Sequence, residues 1–182
     1  VEDTIALANR VGAKVVVLHP GRIGDNRTKS FSNMIQNLSC LAGMAEEYGV
    51  FLGLENKEGT DPSNFCCKAE ELVNTIESVN SGYLKATFDI GHANLTCGGD
   101  SGKLKNFIQT LDKYIIHIHL HDNKGQWTEM YDGDEHLAPG KGYTDYSVLN
   151  LLSGYGGVYN LEVFSIEDVC LGKEIIKNSL KL

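Results

Sequence analysis

The sequence predicts an α/β fold, a parallel (β/α)8 TIM barrel of which this chain holds the C-terminal five β/α units. Two observations predict it. Short β-branched runs alternate with longer stretches of helical periodicity, which implies parallel strands joined by helical crossovers. In addition, the chemically reactive side chains His19, Glu55, Asp89, His119 and Glu162 fall at or just past the C-terminal ends of the strand-like runs. The alternation alone leaves a doubly wound sheet open. The strand-end placement separates the two, because barrel strand ends converge on one mouth whereas an open sheet spreads them along an edge.

The elements follow in order. Residues 3–11 read as the tail of a helix belonging to an upstream unit. Val15-Val16-Val17-Leu18-His19 is a compact apolar strand closed by Pro20-Gly21. Residues 30–48 carry Phe31, Met34, Ile35, Leu38, Leu41 and Ala42 near helical spacing, and Gly49 is placed to end that helix. A strand over 50–55 and a helix over 68–80 follow. Strand 84–89 leads to a helix over 103–114, and strand 115–120 leads through a long loop to a helix over 146–152. Strand 158–163 and a helix over 167–180 complete the series. A full barrel needs about 250 residues, so these 182 residues read as a single domain with about three further units expected upstream.

Composition sets outer limits. With 42% hydrophobic and 22% charged residues the chain supports an ordinary core, and nothing is low-complexity. A net charge of -8 and the lack of a basic run argue against a protein devoted to gripping a phosphate backbone. Bound divalent ions would offset part of that acidity. The cysteines Cys40, Cys66, Cys67, Cys97 and Cys170 are odd in number and form no C-x-x-C pair, so a reducing cytoplasm is the simpler setting. The opening residues lack signal-peptide character, no apolar run suits a membrane span, and no strand is followed by a nucleotide-binding glycine loop.

The candidate ligands are His19, Glu55, Asp89, His92, His119, Asp134, His136 and Glu162, the imidazoles and carboxylates that transition metals use. In Asp89-Ile90-Gly91-His92, Gly91 is expected to let the chain turn so that His92 faces the site. Asp134-Glu135-His136 puts its outer side chains on one side of an extended segment. His117, His119 and His121 share a face at strand period two; His117 reads as an interior residue and His121 as a loop hydrogen bonder. Each residue alone has an ordinary role as a turn, cap or ion-pair group. Together they would place many unpaired charges at one mouth, which calls for a cation.

Val17-Leu18-His19-Pro20-Gly21, Gly53-Leu54-Glu55-Asn56, Phe88-Asp89-Ile90-Gly91-His92, His119-Leu120-His121-Asp122-Asn123-Lys124, Asp134-Glu135-His136-Leu137-Ala138-Pro139-Gly140-Lys141-Gly142 and Leu161-Glu162 run in this order. They resemble the successive metal motifs of the xylose isomerase-like superfamily, which joins a sugar phosphate isomerase and epimerase group to the endonuclease IV branch, AP endonuclease family 2. The resemblance implies a TIM barrel with Zn, Mn, Co or Mg, one to three ions, at its C-terminal mouth. By position, Glu55, Asp89, His119 and Glu162 match the shared metal set. His19, His92, Asp134 and His136 match further ligands of the endonuclease branch.

Two reactions follow from that resemblance. In a sugar or sugar-phosphate isomerase or epimerase, the metal would polarise a carbonyl and its neighbouring hydroxyl, and Glu55 and Glu162 would exchange a carbon-bound proton through an enediolate. Arg22, Lys124 and Lys141 would contact phosphate or hydroxyls, and Trp127 would cover the sugar's apolar face. The alternative is a zinc-dependent AP endonuclease, with abasic DNA as its partner. Against it, that branch's Asp-Thr-Cys-His reads Asp89-Ile90-Gly91-His92 here, its His-x-Asn-Asp-Ser/Ala-Lys reads His119-Leu120-His121-Asp122-Asn123-Lys124, and its Gly-Glu-Gly reads Gly140-Lys141-Gly142. A third reading keeps the metal for structure only. No membrane partner is expected, and two open sheet edges would favour self-association as a homo-oligomer.

Overall fold

Alternation within each strand separates packing from chemistry, since successive side chains of a strand point to opposite faces. The strands are β1 (Val15–Leu18), β2 (Phe51–Glu55), β3 (Leu84–Asp89), β4 (Ile115–Leu120) and β5 (Val158–Leu161). In β2 and β3, Leu52, Leu54, Leu84, Ala86 and Phe88 are fully buried, and Phe88 meets Phe107 on the helix layer at 6.0 Å between ring centroids. The alternate positions Gly53, Glu55, Thr87 and Asp89 occupy the other face and lead up to the reactive strand ends. The computed structural model describes residues 1–180 and joins the five strands, all parallel, in the order β1-β2-β3-β4-β5.

One register irregularity positions the chemistry. Ala86 pairs with Ile115, yet Thr87 pairs with His117, and the slip between them brings Asp89 level with His119. Without the extra residue, Asp89 would lie opposite Ile118, whose side chain faces the helices; a slip of one residue exchanges faces.

Helices α1 (Glu2–Val11), α2 (Arg27–Tyr48), α3 (Ala69–Val79), α4 (Ile90–Cys97), α5 (Ser101–Leu111) and α6 (Ile166–Leu180) complete the fold. Met34, Leu38, Ala42 and Ala45 form the buried stripe of α2, and Leu104, Ile108 and Leu111 that of α5. The Asn26 side chain caps α2 by accepting from the Lys29 N–H at 2.9 Å, which starts the helix one turn before its apolar stripe begins. The expected helix over 103–114 is shorter, with a 3-10 turn at Asp112–Tyr114, and the segment near 146–152 is a 3-10 turn, Tyr146–Leu151. Strand 158–163 ends at Leu161, and α4 had no counterpart in the sequence reading. No helix among the described residues is long and apolar enough to cross a membrane.

Candidate metal centre

Four strand ends deliver four ligand-type side chains to one place. His119 Nδ1 lies 3.3 Å from Glu55 Oε2, 3.1 Å from Glu162 Oε1 and 3.8 Å from Asp89 Oδ2. Asn56 ties β2 to β3 just beneath: its amide oxygen accepts from the Asp89 N–H at 2.8 Å and its NH2 donates to the Asp89 carbonyl at 2.9 Å. Asp89 also caps α4, accepting from the His92 N–H at 2.8 Å. That cap aims the first turn of α4, and with it the His92 ring, back over the strand ends. His19 sits at the rim, largely exposed, 3.5 Å from Glu55 Oε2.

A second group adjoins the first. His92 Nε2 and His136 Nε2 each lie 3.4 Å from Asp134 Oδ2. His92 Nδ1 is 3.0 Å from the Asn56 carbonyl and His136 Nδ1 is 3.1 Å from the Glu162 carbonyl. With Nδ1 donating to those carbonyls, each Nε2 would be free to turn a lone pair to a bound ion, the arrangement by which proteins orient ligating histidines. His136 reaches this position with φ +47°, so the segment is not the simple extended run that the spacing predicts, although both outer side chains still converge.

Burial and charge are opposed here. Burial alone would raise the Glu55 pKa; the imidazoles of His119, His19 and His92, at 3.3, 3.5 and 3.2 Å from its oxygens, overcome it and hold the carboxyl well below the carboxylate range. Asp89 and Asp134 are likewise held low against burial, Asp89 by the charges of His92 and His121, Asp134 by the imidazoles of His136 and His92 beside it. Asp89 Oδ2, His119 Nδ1, Asp134 Oδ1 and Glu58 Oε2 are buried without a hydrogen-bond partner among the described residues. Ionised carboxylates and orphaned buried nitrogen and oxygen atoms at this density fit a divalent cation. Three ligand-type groups meet that description: Glu55, Asp89 and His92; Asp89, His119 and Glu162; and His92, His121, Asp134 and His136.

Lys57 and Glu58 escaped the sequence reading, and His121 was read there as a loop hydrogen bonder, as its bond to Asp89 shows, but not as a ligand-type group of the site. Lys57 places its ammonium 3.0 Å from Glu58 and 3.4 Å from His92 Nε2; burial would lower its pKa, but Glu58, Glu55 and Asp134 raise it. Its neighbour Glu55 at a strand end was the available signal. His121 is fully buried, with Nε2 3.0 Å from Asp89 Oδ1. Gly91 does not turn the chain, as its sequence context suggested; it lies within α4 and makes room for that imidazole. A Cβ at residue 91 would stand 2.2 Å from His121 Cε1. Alanine in a helix is ordinarily better than glycine by roughly 0.5–1 kcal/mol, but here overpacking reverses the sign. Gly91→Ala is expected to cost about 1–3 kcal/mol in a urea melt, and a gain would show that the ring is not fixed there.

The remaining predicted contacts divide. Arg22 and Trp127 line one cavity of about 760 Å³ with Glu58, Asp61 and Asp132. Arg22 pairs with Asp61 at 2.8 Å, and Lys124 with Glu135 at 3.5 Å. Lys141 is held by Asp168 at the start of α6 and lines no part of that cavity. Burial pushes the Cys97 thiol up to about 11, in keeping with a packed rather than reactive cysteine.

Comparison with known proteins gives one consistent picture. The family model described as a xylose isomerase-like TIM barrel matches residues 1–182. The uncharacterized protein MJ1311 of Methanocaldococcus jannaschii is 35% identical over 195 residues, covering 100% of this chain and 61% of that protein. The protein named Probable endonuclease 4 of Mycoplasmoides gallisepticum is 26% identical over 147 residues, 76% of this chain and 47% of its own length. Among solved structures, a D-tagatose 3-epimerase-like protein superimposes with a TM-score of 0.86 at 33% identity, over 99% of this chain and 67% of that one. The IolI protein with a zinc atom bound shares the fold at TM-score 0.75 and 20% identity, over 99% of this chain and 67% of that one. The chain thus spans 61% and 53% of the lengths of the two Methanocaldococcus relatives.

Proposed function

Because the chain belongs to the xylose isomerase-like TIM barrel family, we propose that it acts as a divalent-metal-dependent sugar or sugar-phosphate isomerase or epimerase. In this reading residues 1–182 are one domain that supplies five β/α units and the ligand-bearing mouth. The observation that carries it is the pair of carboxylates, Glu55 Oε2 and Glu162 Oε1, that meet a single imidazole nitrogen of His119 at 3.3 and 3.1 Å. Two carboxylates so close to one focus, one delivered from β2 and one from beyond β5, suit a carbon acid held between two bases.

Glu55, Asp89, His119 and Glu162 would hold the ion, which when bound supplies Lewis-acid polarisation of a carbonyl and its adjacent hydroxyl. Glu55 and Glu162 stand on opposite sides of the sugar carbon. One accepts the carbon-bound proton, leaving an enediolate; the other, protonated, returns a proton to the opposite face. Asn56 keeps the Asp89 backbone fixed beneath them. Trp127 offers its ring to the apolar face of the sugar, and Arg22, Lys124 and Lys141 are within the loops that would meet hydroxyls or phosphate.

The test is deuterium incorporation from heavy water into a panel of ketoses, aldoses and their phosphates, with the chain loaded with Mn, Co, Mg or Zn. Metal-dependent exchange at the carbon beside the carbonyl is expected. Metal-loaded protein that exchanges none of the panel, yet cleaves an oligonucleotide at an abasic site, would establish the second reading, a zinc-dependent AP endonuclease. The group of His92, Asp134 and His136 and the relatives named Probable endonuclease 4 favour that alternative. Removing metal should also cost stability. An ion at a hundred times its dissociation constant adds about 2.7 kcal/mol to the folded state, so loading the EDTA-treated chain should raise Tm by about 5–10 °C.

A further inference from the structure

Lys57 lies just past the Gly53-Leu54-Glu55-Asn56 run and points its ammonium into the ligand-type side chains. We propose that this ammonium is the cation of the second group, that it keeps a divalent ion out of His92, Asp134 and His136, and that the mouth therefore carries a single ion. The proposal rests on the reading above in taking the Glu55, Asp89, His119 and Glu162 group as the place of that ion.

The second group has too few free ligands to hold an ion of its own. The His121 and His136 rings stack at 3.9 Å between centroids with an interplanar angle of 7°. An imidazole lone pair lies in the ring plane, so two rings face to face do not both aim one at a single ion. His121 is engaged elsewhere, with Nε2 3.0 Å from Asp89 Oδ1. His92 is oriented by Nδ1 on the Asn56 carbonyl at 3.0 Å, but its Nε2 meets the Lys57 ammonium at 3.4 Å. An ammonium has three donors and no acceptor, so it takes the lone pair that His92 would give to an ion. Asp134 and His136 remain, two ligands where a zinc site uses three or four.

The surroundings hold Lys57 in this position. Its side chain is 16% exposed and its ammonium lies 3.0 Å from Glu58 Oε2. Glu58 is fixed in turn by Asn64, whose NH2 donates to the Glu58 carboxylate at 2.8 Å and to its carbonyl at 3.2 Å. The Lys57 N–H donates to the Cys66 carbonyl at 3.3 Å. His92 Nε2 has Asp134 Oδ2 at 3.4 Å on one side and Glu58 Oε2 at 3.5 Å on the other. A lone pair set between two carboxylates calls for a cation close by, and Lys57 supplies it. Among the described residues Lys57 pairs with Glu58 and with no carboxylate of the first group, so the ion there keeps its ligands. Repulsion between an ammonium and a divalent ion a few ångströms away would weaken binding at the second group by on the order of 100-fold or more. With one ion, no neighbouring metal stands ready for the leaving oxygen of a phosphodiester, and the chemistry stays with the Glu55 and Glu162 centre.

Equilibrium dialysis of the EDTA-treated chain against cobalt tests this, with bound ions counted by elemental analysis and no activity measured. The wild type is expected to hold one ion, which His119→Asn removes. Lys57→Met should hold one ion more than the wild type, and adding His136→Asn to Lys57→Met should remove that extra ion. Lys57→Gln, equally uncharged but polar, should gain the same ion, so a folding defect in one variant leaves the test standing. A wild type that loses an ion on His136→Asn overturns the proposal, as does a count that neither Lys57 variant raises. A gain that survives His136→Asn overturns it too, because the extra ion then sits elsewhere. A wild type without any ion, beside a Lys57→Met protein with one, would sink the reading of the Glu55 group and leave this role of Lys57 intact.

Discussion

In the proposed reaction, Glu162→Gln and Glu55→Gln are each expected to abolish epimerisation, by about 10²- to 10⁴-fold, while each should leave one epimer able to exchange its proton with solvent. The argument starts from the chemistry of the replacement. Glutamine keeps an oxygen that can ligate, at roughly the same reach, but it cannot accept a proton at neutral pH. Saturating metal therefore restores occupancy without restoring the base. With two bases on opposite faces, losing Glu162 leaves Glu55 to remove and return a proton on its own side, so the epimer presenting C–H to Glu55 still acquires deuterium. The complementary epimer does not, and Glu55→Gln reverses the pattern. Each single variant should already stop net epimerisation, so the double variant should be little slower than either, as expected for residues that act as a unit. Deuterium exchange followed separately for the two epimers is the measurement. Equal residual exchange from both, in either variant, would mean a single shuttling base and would remove one carboxylate from the proposed role.

The fold was legible where faces differ in chemistry and obscure where they do not. Strands 84–89 and 115–120 were bounded correctly because Leu84, Ala86 and Phe88 alternate with Lys85, Thr87 and Asp89. Helix α4 was missed because all but Thr96 of its residues are buried, so no apolar stripe contrasts with a polar one. Gly91 within it also reads as a breaker, and only the position of the His121 ring explains why glycine is there. The apolar stripe of α2 begins at Phe31, so periodicity alone places the helix start near residue 30, whereas the Asn26 cap sets it at Arg27.

The site was partly legible for a related reason. Strand-end residues can be counted off a parallel alternation, and Glu55, Asp89, His119 and Glu162 do meet around one nitrogen. His121 was placed on the right face by its spacing from His119, but the strand ends at Leu120 and a loop histidine has many ordinary uses. Its burial depends on α4, which the sequence had not disclosed. Lys57 lies in a run, Glu55-Asn56-Lys57-Glu58, whose charges look solvated until Asp134 and His92 are folded over them. The register slip between Ala86 and Thr87 has no local sequence signal.

Asp122→Ala should lower stability by about 3–5 kcal/mol, because one buried carboxylate organises the whole loop after β4. Its two oxygens accept from the backbone N–H groups of Asn123 at 2.9 Å, Gly140 at 2.9 Å, Gly142 at 2.9 Å and Thr144 at 3.0 Å. Hydrogen bonds to a charged acceptor contribute roughly 1.5–3 kcal/mol each, but they share one side chain, and Gly140 is exposed enough to be met by water. The sum is therefore well below four independent bonds. The backbone of Asp122 also pairs with Leu137 in both directions, at 2.7 and 2.9 Å, immediately after His136. Loosening residue 122 thus loosens the end of the segment that brings Asp134 and His136 to the mouth. At about 2–4 °C per kcal/mol for a domain of this size, Tm should fall by roughly 6–20 °C. Asp122→Asn should be no milder, because each oxygen accepts from two backbone N–H groups and the amide NH2, whichever way it turns, would face two donors. Hydrogen exchange distinguishes this from a general loss of packing: the amides of Gly142 and Thr144 should open in Asp122→Ala while those of β2 and β3 stay protected. Uniform loss of protection would mean that Asp122 supports the core as a whole, and unchanged protection would mean that Gly142, whose absent side chain leaves room for the carboxylate, fixes the loop by itself.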